Sequence, residues 1–432
     1  MRSPRACLTA VAAVPLLLTA LPPSGAEAAA APRHIAYTSW ATRAAFARGT
    51  LDGLTVAHGR LRIGTPVRTR RYADPYQHGG AARTYDVGTW TSPWTTTTSG
   101  ATELVPSWSA STPDGTWLQV QVRGVTEDGT RGSWDTVANW ASGDRVVRRT
   151  SLGSQPDDIM RVATDTVETS AGALARWQLR VSLMRTTGCT ASPALDTVGA
   201  MTSRLPQASS VPTSAPGVAR GIVLDVPRYS QMTHAGQYPQ YGGGGEAWCS
   251  PTATTMVLGY YHALPPPSAY AWVDRSYRDR VVDLSARQTY DYGYDGTGNW
   301  PFNTAYAAGR TGHAFVTRLH SLREAERFIE AGIPVVASIT FGPHQLDGAP
   351  ISATNGHLVV IVGFTAGGDV VVNDPAAPRD ATVRRTYDRG QFEDAWLKRY
   401  PADGSLHGSG GLAYIIRDAA HPLPRLTGNS NW

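Results

Sequence analysis

Hydrophobic and polar residues alternate along the first half of the chain with the two-residue period of a β-strand. Residues 117–123 alternate without interruption, and Asp114-Gly115 and Asp128-Gly129 on either side are typical of hairpin turns. Further segments of strand character, separated by clusters of turn residues, are 102–110, 131–141, 176–185 and 195–204. This spacing is typical of a β-sandwich, so the pattern predicts an all-β accessory domain over residues 32–204.

A segment rich in proline, serine and alanine follows, at residues 205–221. It has no hydrophobic period, and such a composition is typical of a linker. The chain of 432 residues also exceeds the size of one ordinary hydrophobic core. We therefore expect two domains, with the boundary in this linker.

The second domain is predicted to combine helices with an antiparallel sheet. Amphipathic or capped helices are predicted at 249–261, at 299–309 behind Asn299, and at 321–331 behind a capping box that starts at Ser321. Strands are predicted at 222–226, 335–341, 357–364, 369–374 and 412–416. Helices followed by an antiparallel sheet indicate an α+β domain over residues 222–417, with residues 418–432 as a tail.

The first 31 residues have the pattern of a signal peptide. Arg2 and Arg5 precede an apolar run over residues 6–21, and small residues at 26–30 offer a cleavage site. The run is too short for a comfortable membrane span, and no later segment is long enough. We therefore expect a secreted protein without a membrane span.

Composition narrows the classes of partner and cofactor. The formal net charge is +5, but only 17% of the residues are charged, and Lys398 is the only lysine. Because no block of like charges is present, a nucleic-acid partner is not expected. The sequence has no spacing typical of a metal site and no phosphate-binding loop, so we expect neither a metal nor a cofactor.

Cys249 is the candidate nucleophile. It lies between a glycine-rich stretch, residues 242–245, and the predicted helix, so its sulfur would sit at a helix N-terminus. Unpaired N–H groups and the helix dipole favour a thiolate there, and Pro251 suits the first helical turn. A thiol nucleophile also needs a base, and a group that orients the base.

His357 and Asp374 are the candidates for those two roles. His357 begins a predicted strand, Asp374 ends the next one, and a hairpin would return both to the same end of the sheet. Pairing about Gly367-Gly368 would place Asp374 opposite Ile361, about 13 Å along the strand from His357. Twist, coiling or a bulge would have to shorten that distance. His344 remains an alternative base and Asn373 an alternative orienting group.

These motifs, in this order, resemble the papain-like cysteine peptidases. More narrowly, the C-terminal domain resembles peptidase family thirty-nine, which includes bacteriocin-processing domains, in its secreted C39-like branch. The matching segments are 226–231, 248–256, 356–363 and 372–375. The resemblance implies a papain-like fold with Cys249 as nucleophile, His357 as general base and then acid, and Asp374 as the orienting group. It also implies that the Gln231 side chain and the backbone N–H of Cys249 form the oxyanion hole.

Together these features predict a secreted cysteine peptidase that cleaves a peptide or protein substrate through an acyl-enzyme. The same site could instead transfer the acyl group to an amine, as a transpeptidase or acyltransferase. A third hypothesis is an inactive peptidase-like domain joined to a module that binds cell-wall glycan through its tryptophans, although tryptophans also fill sandwich cores. A disulfide between Cys189 and Cys249 would exclude catalysis by Cys249.

Overall fold

The computed structural model of the protein describes residues 32–77, 80–208, 210–399, 408–428 and 430–432. The predicted signal peptide, residues 1–31, lies outside the described residues. Residues 33–432 form one compact unit.

The first half is built almost entirely from antiparallel strands, as the alternating pattern predicts. The strands are β1 (His34–Trp40), β2 (Thr50–Asp52), β3 (Leu54–Ala57), β4 (Arg60–Ile63), β5 (Arg68–Tyr72), β6 (Arg83–Thr91), β7 (Thr95–Ala101), β8 (Glu103–Ser111), β9 (Thr116–Thr126), β10 (Asp135–Trp140), β11 (Thr150–Ser151), β12 (Met160–Ala163), β13 (Thr166–Thr169), β14 (Leu174–Thr186) and β15 (Ala194–Arg204). One short helix, α1 (Arg43–Ala47), lies between β1 and β2.

These strands form two sheets within the described residues. One has seven strands, in the order β12-β13-β8-β15-β4-β3 with β1 also paired to β15. The other has eight, in the order β11-β10-β9-β14-β6-β2 with β5 on β6 and β7 on β14. Inward side chains of both sheets, such as Trp108 of β8 and Val120 of β9, share one buried core. This is the sandwich that the sequence predicts, and most of its tryptophans are buried in the core.

The second half has five helices and a six-stranded sheet within the described residues. The helices are α2 (Cys249–Tyr260), α3 (Val281–Thr289), α4 (Trp300–Thr311), α5 (Leu322–Glu330) and α6 (Arg389–Leu397). The strands are β16 (His313–Arg318), β17 (Val335–Phe341), β18 (Thr354–Phe364), β19 (Val370–Asn373), β20 (Arg384–Tyr387) and β21 (Leu412–Arg417). Their order is β16-β21-β17-β18-β19-β20, and every pair is antiparallel.

Helices cover both faces of this sheet. Helices α5 and α6 pack on one face, whereas α2 and α4 pack on the other. The face covered by α2 and α4 also buries Ile35, Val105 and Met201 of the seven-stranded sheet. In return, Phe302 of α4 packs into the sandwich core, with its ring centroid 6.2 Å from that of Trp108. The two halves of the chain therefore share apolar cores.

Three local expectations were wrong. Helix α2 is buried on all sides from Ser250 to Leu258 and is not amphipathic, because α3, α4 and the sheet surround it. Helix α4 continues to Thr311 and is capped by Gly312, which lies in the left-handed region at φ 92°, rather than ending at Gly309. The segment 222–226 is not a strand, since only Val223 forms an isolated bridge, to Gly363.

The described residues of the predicted linker, 205–208 and 210–221, contain no helix or strand, but several of them are bound to the second half of the chain. The N–H groups of Gly217 and Ala219 donate to Glu326 of α5 at 3.0 and 3.2 Å. The N–H of Ser214 donates to Glu393 of α6 at 2.6 Å. These contacts fix the segment against α5 and α6.

Candidate active site

Cys249 is the first residue of α2 and lies at the mouth of a cavity of about 530 Å³. Its sulfur is free, as is that of the exposed Cys189, so the alternative of a disulfide between them is wrong. No side chain caps the N-terminus of α2. The N–H of Ser250, in its first turn, is directed at the sulfur.

His357 and Asp374 are hydrogen-bonded to each other. The Nε2 atom of His357 lies 2.7 Å from Oδ1 of Asp374, and both side chains are almost fully buried. This bond uses Nε2, so Nδ1 is the ring nitrogen left to exchange a proton with a thiol. The order of the strands brings together two residues that are separated by 17 positions in the chain.

The predicted register of this hairpin was wrong. Val360 pairs with Asn373, which places Asp374 opposite Val359 rather than opposite Ile361. The register shifts between Ile361 and Gly363, where one residue bulges out of the ladder. The bulge accounts for one of the two positions by which the prediction was off, and the pairing next to the turn, Phe364 with Val370, accounts for the other. Asp374 therefore lies opposite a residue two positions from His357 along β18 instead of four, and its carboxylate reaches the imidazole directly.

Electrostatics couple Cys249 to His357. Burial alone would raise the pKa of the Cys249 thiol, but a hydrogen bond from His357, the charge of that imidazole and N–H donors from Leu358 and Ser250 lower it. Burial would likewise lower the pKa of His357, but Asp374 and the Cys249 sulfur raise it to about 10. Both shifts favour a thiolate beside an imidazolium.

The Asp374 carboxylate is held by more than the histidine. Burial would raise its pKa, but His357, the Tyr387 hydroxyl and the N–H of Ala376 lower it. Tyr387 donates to Oδ2 at 2.7 Å, and the N–H of Ala376 donates to Oδ1 at 3.0 Å. Sequence reasoning missed Tyr387 because β20, which carries it, has a short polar sequence without a clear period.

Gln231 is brought close to this site by two contacts, but it does not line the cavity. Its Nε2 donates to the carbonyl of Glu246, three positions before Cys249, at 2.7 Å. Its backbone N–H donates to Pro375, beside Asp374, at 2.9 Å. Gln231 therefore joins the segment before the cysteine to the turn that carries the aspartate, and its role in an oxyanion hole stays a prediction.

The alternative residues lie elsewhere. Asn373 faces away from His357, since its Nδ2 donates to Pro227 at 2.9 Å and its Oδ1 accepts from Arg384 at 2.6 Å. His344 is exposed on the loop after β17. Trp248 is fully buried and donates to Tyr241, whereas Trp300 lines the cavity.

One wall of the cavity is formed by residues 294–298 and Trp300. The half-exposed ring of Tyr294 lies within electrostatic range of Cys249. Ser338 of β17 and Asn355, Gly356 and Leu358 of β18 line the cavity as well. Five of the residues that line the cavity are glycines, namely Gly242, Gly296, Gly298, Gly356 and Gly408.

The described residues contain no group of three or more His, Cys, Asp or Glu side chains that could hold a metal ion. No helix among them is both long enough and apolar enough to cross a membrane.

Comparison with protein families finds two matches that together cover most of the chain. Residues 36–203 match the Peptidase C39 N-terminal domain, and residues 223–403 match the Peptidase_C39 like family. The sequence-based resemblance is thereby confirmed, and it suggests peptidase activity. No curated protein matches the chain.

Solved structures give only distant likenesses. A crystal structure described as a C39-like peptidase from Bacillus anthracis is 18% identical, covers 46% of this chain and 100% of its own, and has a TM-score of 0.29. The Gap123 glycosylation-associated complex from Streptococcus agalactiae is 10% identical over 44% of this chain and 50% of its own, with a TM-score of 0.18. A structure of carbohydrate-binding modules of the β-sandwich superfamily is 10% identical, covers 37% of this chain and 55% of its own, and has a TM-score of 0.16. Scores this low carry no argument about function.

Proposed function

We propose that this chain, whose residues 223–403 belong to the Peptidase_C39 like family, is a cysteine peptidase that acts through Cys249, His357 and Asp374. The observation that carries the proposal is one connected set of contacts. A helix-start sulfur that lines a cavity contacts a buried imidazole, and the imidazole is hydrogen-bonded to a buried carboxylate. That arrangement supports a papain-like fold for the second domain.

In the resting enzyme the proton would lie on His357 and the negative charge on the Cys249 sulfur. The thiolate attacks the carbonyl carbon of a peptide bond in the cavity, and a carbon–sulfur bond forms as the C=O π electrons move to oxygen. Asp374 keeps the His357 ring in one orientation and stabilises its positive charge. Tyr387 and the N–H of Ala376 in turn hold the carboxylate in place.

Collapse of this intermediate breaks the C–N bond. The Nδ1–H of His357 gives its proton to the leaving amine, and a thioester remains on Cys249. The backbone N–H of Cys249, at the uncapped start of α2, would donate to the oxyanion. The second N–H of the Gln231 amide is proposed as the other donor, since its first already bonds Glu246.

Water then attacks the thioester with His357 as general base, which regenerates the thiolate and releases the acid. Attack by an amine in place of water would transfer the acyl group to that amine, and the enzyme would then be a transpeptidase or acyltransferase.

The signal-peptide pattern at residues 1–31 supports a further proposal, that the enzyme acts outside the cell. Recovery of the chain cut near residue 31 from culture medium would test it, and retention of the uncut chain inside the cell would contradict it.

A peptide library read by mass spectrometry tests the activity. The purified chain from residue 32 onward should cleave members of the library, and Cys249→Ala should abolish cleavage while the circular dichroism spectrum stays the same. Cys189→Ala is the matched control, because that thiol is exposed and away from the cavity. Equal cleavage by wild type and Cys249→Ala would overturn the proposal. Products that carry an added amine, such as glycinamide, would identify acyl transfer.

A further inference from the structure

The outward face of the eight-stranded sheet carries a cluster of cations. On β9 the side chains of Leu118, Val120 and Val122 point into the sandwich core, so Gln121 and Arg123 point outward. Outward residues of β5 and β14 continue the same surface. We name it the arginine face, and it consists of Arg68, Arg70, Trp94, Arg123, Arg131, Trp134, Arg176 and Arg180.

The arginines of this face are held by neutral groups. In the described part of the chain, none of the six forms an ion pair with a carboxylate, whereas Arg60, Arg161 and Arg185 of the same sandwich each pair with one. The neutral acceptors are Thr89 for Arg68 at 3.0 Å, Gln119 for Arg70 at 3.0 Å, Gln178 for Arg123 at 2.7 Å, and Gln121 for Arg180 at 2.8 Å. Their positive charge is therefore not neutralised within the chain.

The guanidinium groups are also stacked on the two tryptophans. Arg123 lies 5.1 Å from the ring centroid of Trp94 and 4.5 Å from that of Trp134. Arg180 lies 4.2 Å from Trp134, and Arg176 lies 5.0 Å from Trp94. These ring faces are occupied by cations, so they do not offer a bare platform for a neutral sugar or a base. The guanidinium edges, with their N–H donors, remain for a ligand.

The neighbouring arginines act on one another. Burial and then Arg131 lower the pKa of Arg123, while burial, Arg68 and Arg123 lower that of Arg180. Such mutual repulsion indicates a surface whose field an anionic ligand would relieve. A groove of about 410 Å³ beside Arg68, Arg70 and Arg180 adds polar side chains from Gln119, Gln121 and Thr136.

We propose that the arginine face binds an acidic polysaccharide. Carboxylates of the polymer pair with the guanidinium edges, and its hydroxyls bond the glutamine and threonine side chains between them. Arg176 and Arg180 lie four positions apart on β14, about 13 Å along the strand, which suits a linear polymer with repeated charges. The occupied tryptophan faces and the interspersed amides favour a hydroxylated polyanion over a nucleic acid. The binding site is independent of Cys249.

Binding of polygalacturonate to the full chain from residue 32 onward tests this inference, with dextran as the neutral polymer and single-stranded DNA as a non-saccharide polyanion. We expect polygalacturonate to bind with an affinity that falls as the salt concentration is raised. Dextran should not bind, and DNA should bind at least tenfold more weakly than polygalacturonate. Arg123→Gln with Arg180→Gln should reduce the affinity for polygalacturonate by about tenfold or more. Arg71→Gln, an exposed arginine next to Arg70 on β5, is the matched control.

Because Arg123 and Arg180 stack on tryptophan, the thermal unfolding of the double variant is measured in parallel to detect a loss of stability. Arg68→Gln is the second variant, since Arg68 is exposed and bonds only a threonine hydroxyl. It should weaken binding severalfold without loss of stability. Absence of polygalacturonate binding, equal binding of DNA, or unchanged affinity in Arg68→Gln would each overturn the proposal. Peptide cleavage is unaffected in every case.

Discussion

The two sides of the cavity at Cys249 are held by different parts of the chain. The side with the candidate reacting groups rests on the second half alone, because Cys249 starts α2 and His357 and Asp374 lie at one end of the six-stranded sheet. The opposite wall, residues 294–300, is anchored to the sandwich. The N–H of Trp300 donates to Asp165 at 2.7 Å, and Asp291 accepts from the N–H of Ser151 at 2.9 Å.

The anchor of this wall is buried and well bonded. Asp291 also accepts from Gly293, Tyr294 and Asn299 at 2.9, 3.2 and 2.8 Å, so one carboxylate fixes both the loop and its contact with the sandwich. In the proposed mechanism the second half supplies the reacting groups, whereas the sandwich fixes the wall against which a substrate would lie.

Among variants that keep Cys249, replacement of Asp374 should have the largest effect on chemistry. Asp374→Asn removes the charge that raises the His357 pKa and orients its ring, so we expect kcat/KM to fall by about a hundredfold or more. Activity needs a thiolate and an imidazolium. It should therefore be lost in acid as the lowered pKa of Cys249 is passed, and in base near the raised His357 pKa of about 10.

The pH profile of the same variant sharpens this test. Without the carboxylate the His357 pKa falls, so the alkaline limb of kcat/KM should move to lower pH. Asn373→Ala is the neighbouring control and should leave the position of that limb unchanged, because Asn373 faces away from His357. An alkaline limb that stays in place in Asp374→Asn would contradict the assigned role.

Loss of the ion pair between the halves should have the next largest effect, on stability. Buried Glu103 of the sandwich pairs with Arg318 of β16 and with Arg399. Glu103→Gln leaves Arg318 buried without its counter-charge, so the free energy of unfolding should fall by about 3 kcal/mol. Chemical denaturation should still give one transition, because the halves share apolar cores.

The control for this variant is Glu127→Gln, whose partner Arg204 is exposed. That change should alter the free energy of unfolding by less than about 1 kcal/mol. Two separate transitions in the wild type, reported by tryptophan fluorescence and by loss of peptide cleavage, would show that the halves are not coupled as described.

Tyr387→Phe tests the support of the carboxylate. The change removes one hydrogen bond to Asp374 and little volume, so we expect kcat/KM to fall by about tenfold. Most of the loss should be in kcat, since Tyr387 does not line the cavity. Tyr414→Phe is the matched control; its hydroxyl bonds Ser250 at 2.9 Å rather than Asp374. An equal loss in both variants would assign the effect to packing.

The smallest effect is expected at the anchored wall. Asp165→Ala removes the acceptor for the N–H of Trp300, and Asp165→Asn keeps an acceptor oxygen. We expect the alanine variant to raise KM by about threefold to tenfold with kcat nearly unchanged, and the asparagine variant to resemble wild type. A fall in kcat with constant KM would mean that the sandwich contributes to the chemistry and that the tasks are not separate.

Sequence patterns predicted the sandwich and the strands β17, β18, β19 and β21, and they pointed to Cys249, His357 and Asp374, because each depends on local periodicity or on a short motif. Strands β16 and β20 were not predicted. The register of Asp374 was not predictable, since a bulge near Val362 shifts the ladder without a signal in composition. Tyr387 and residues 294–298 of the cavity wall were missed for a related reason. They approach the site only through pairing and packing between segments distant in sequence.

The most direct test of the account is the rate at which iodoacetamide alkylates the two cysteines of the described chain, followed by peptide mass spectrometry from about pH 5 to about pH 9. The account predicts that Cys249 reacts at least tenfold faster than the exposed Cys189 near pH 6, and that peptide cleavage is lost in step with its labelling. Faster labelling of Cys189, or cleavage that persists after Cys249 is fully alkylated, would contradict the assignment of Cys249 as the nucleophile.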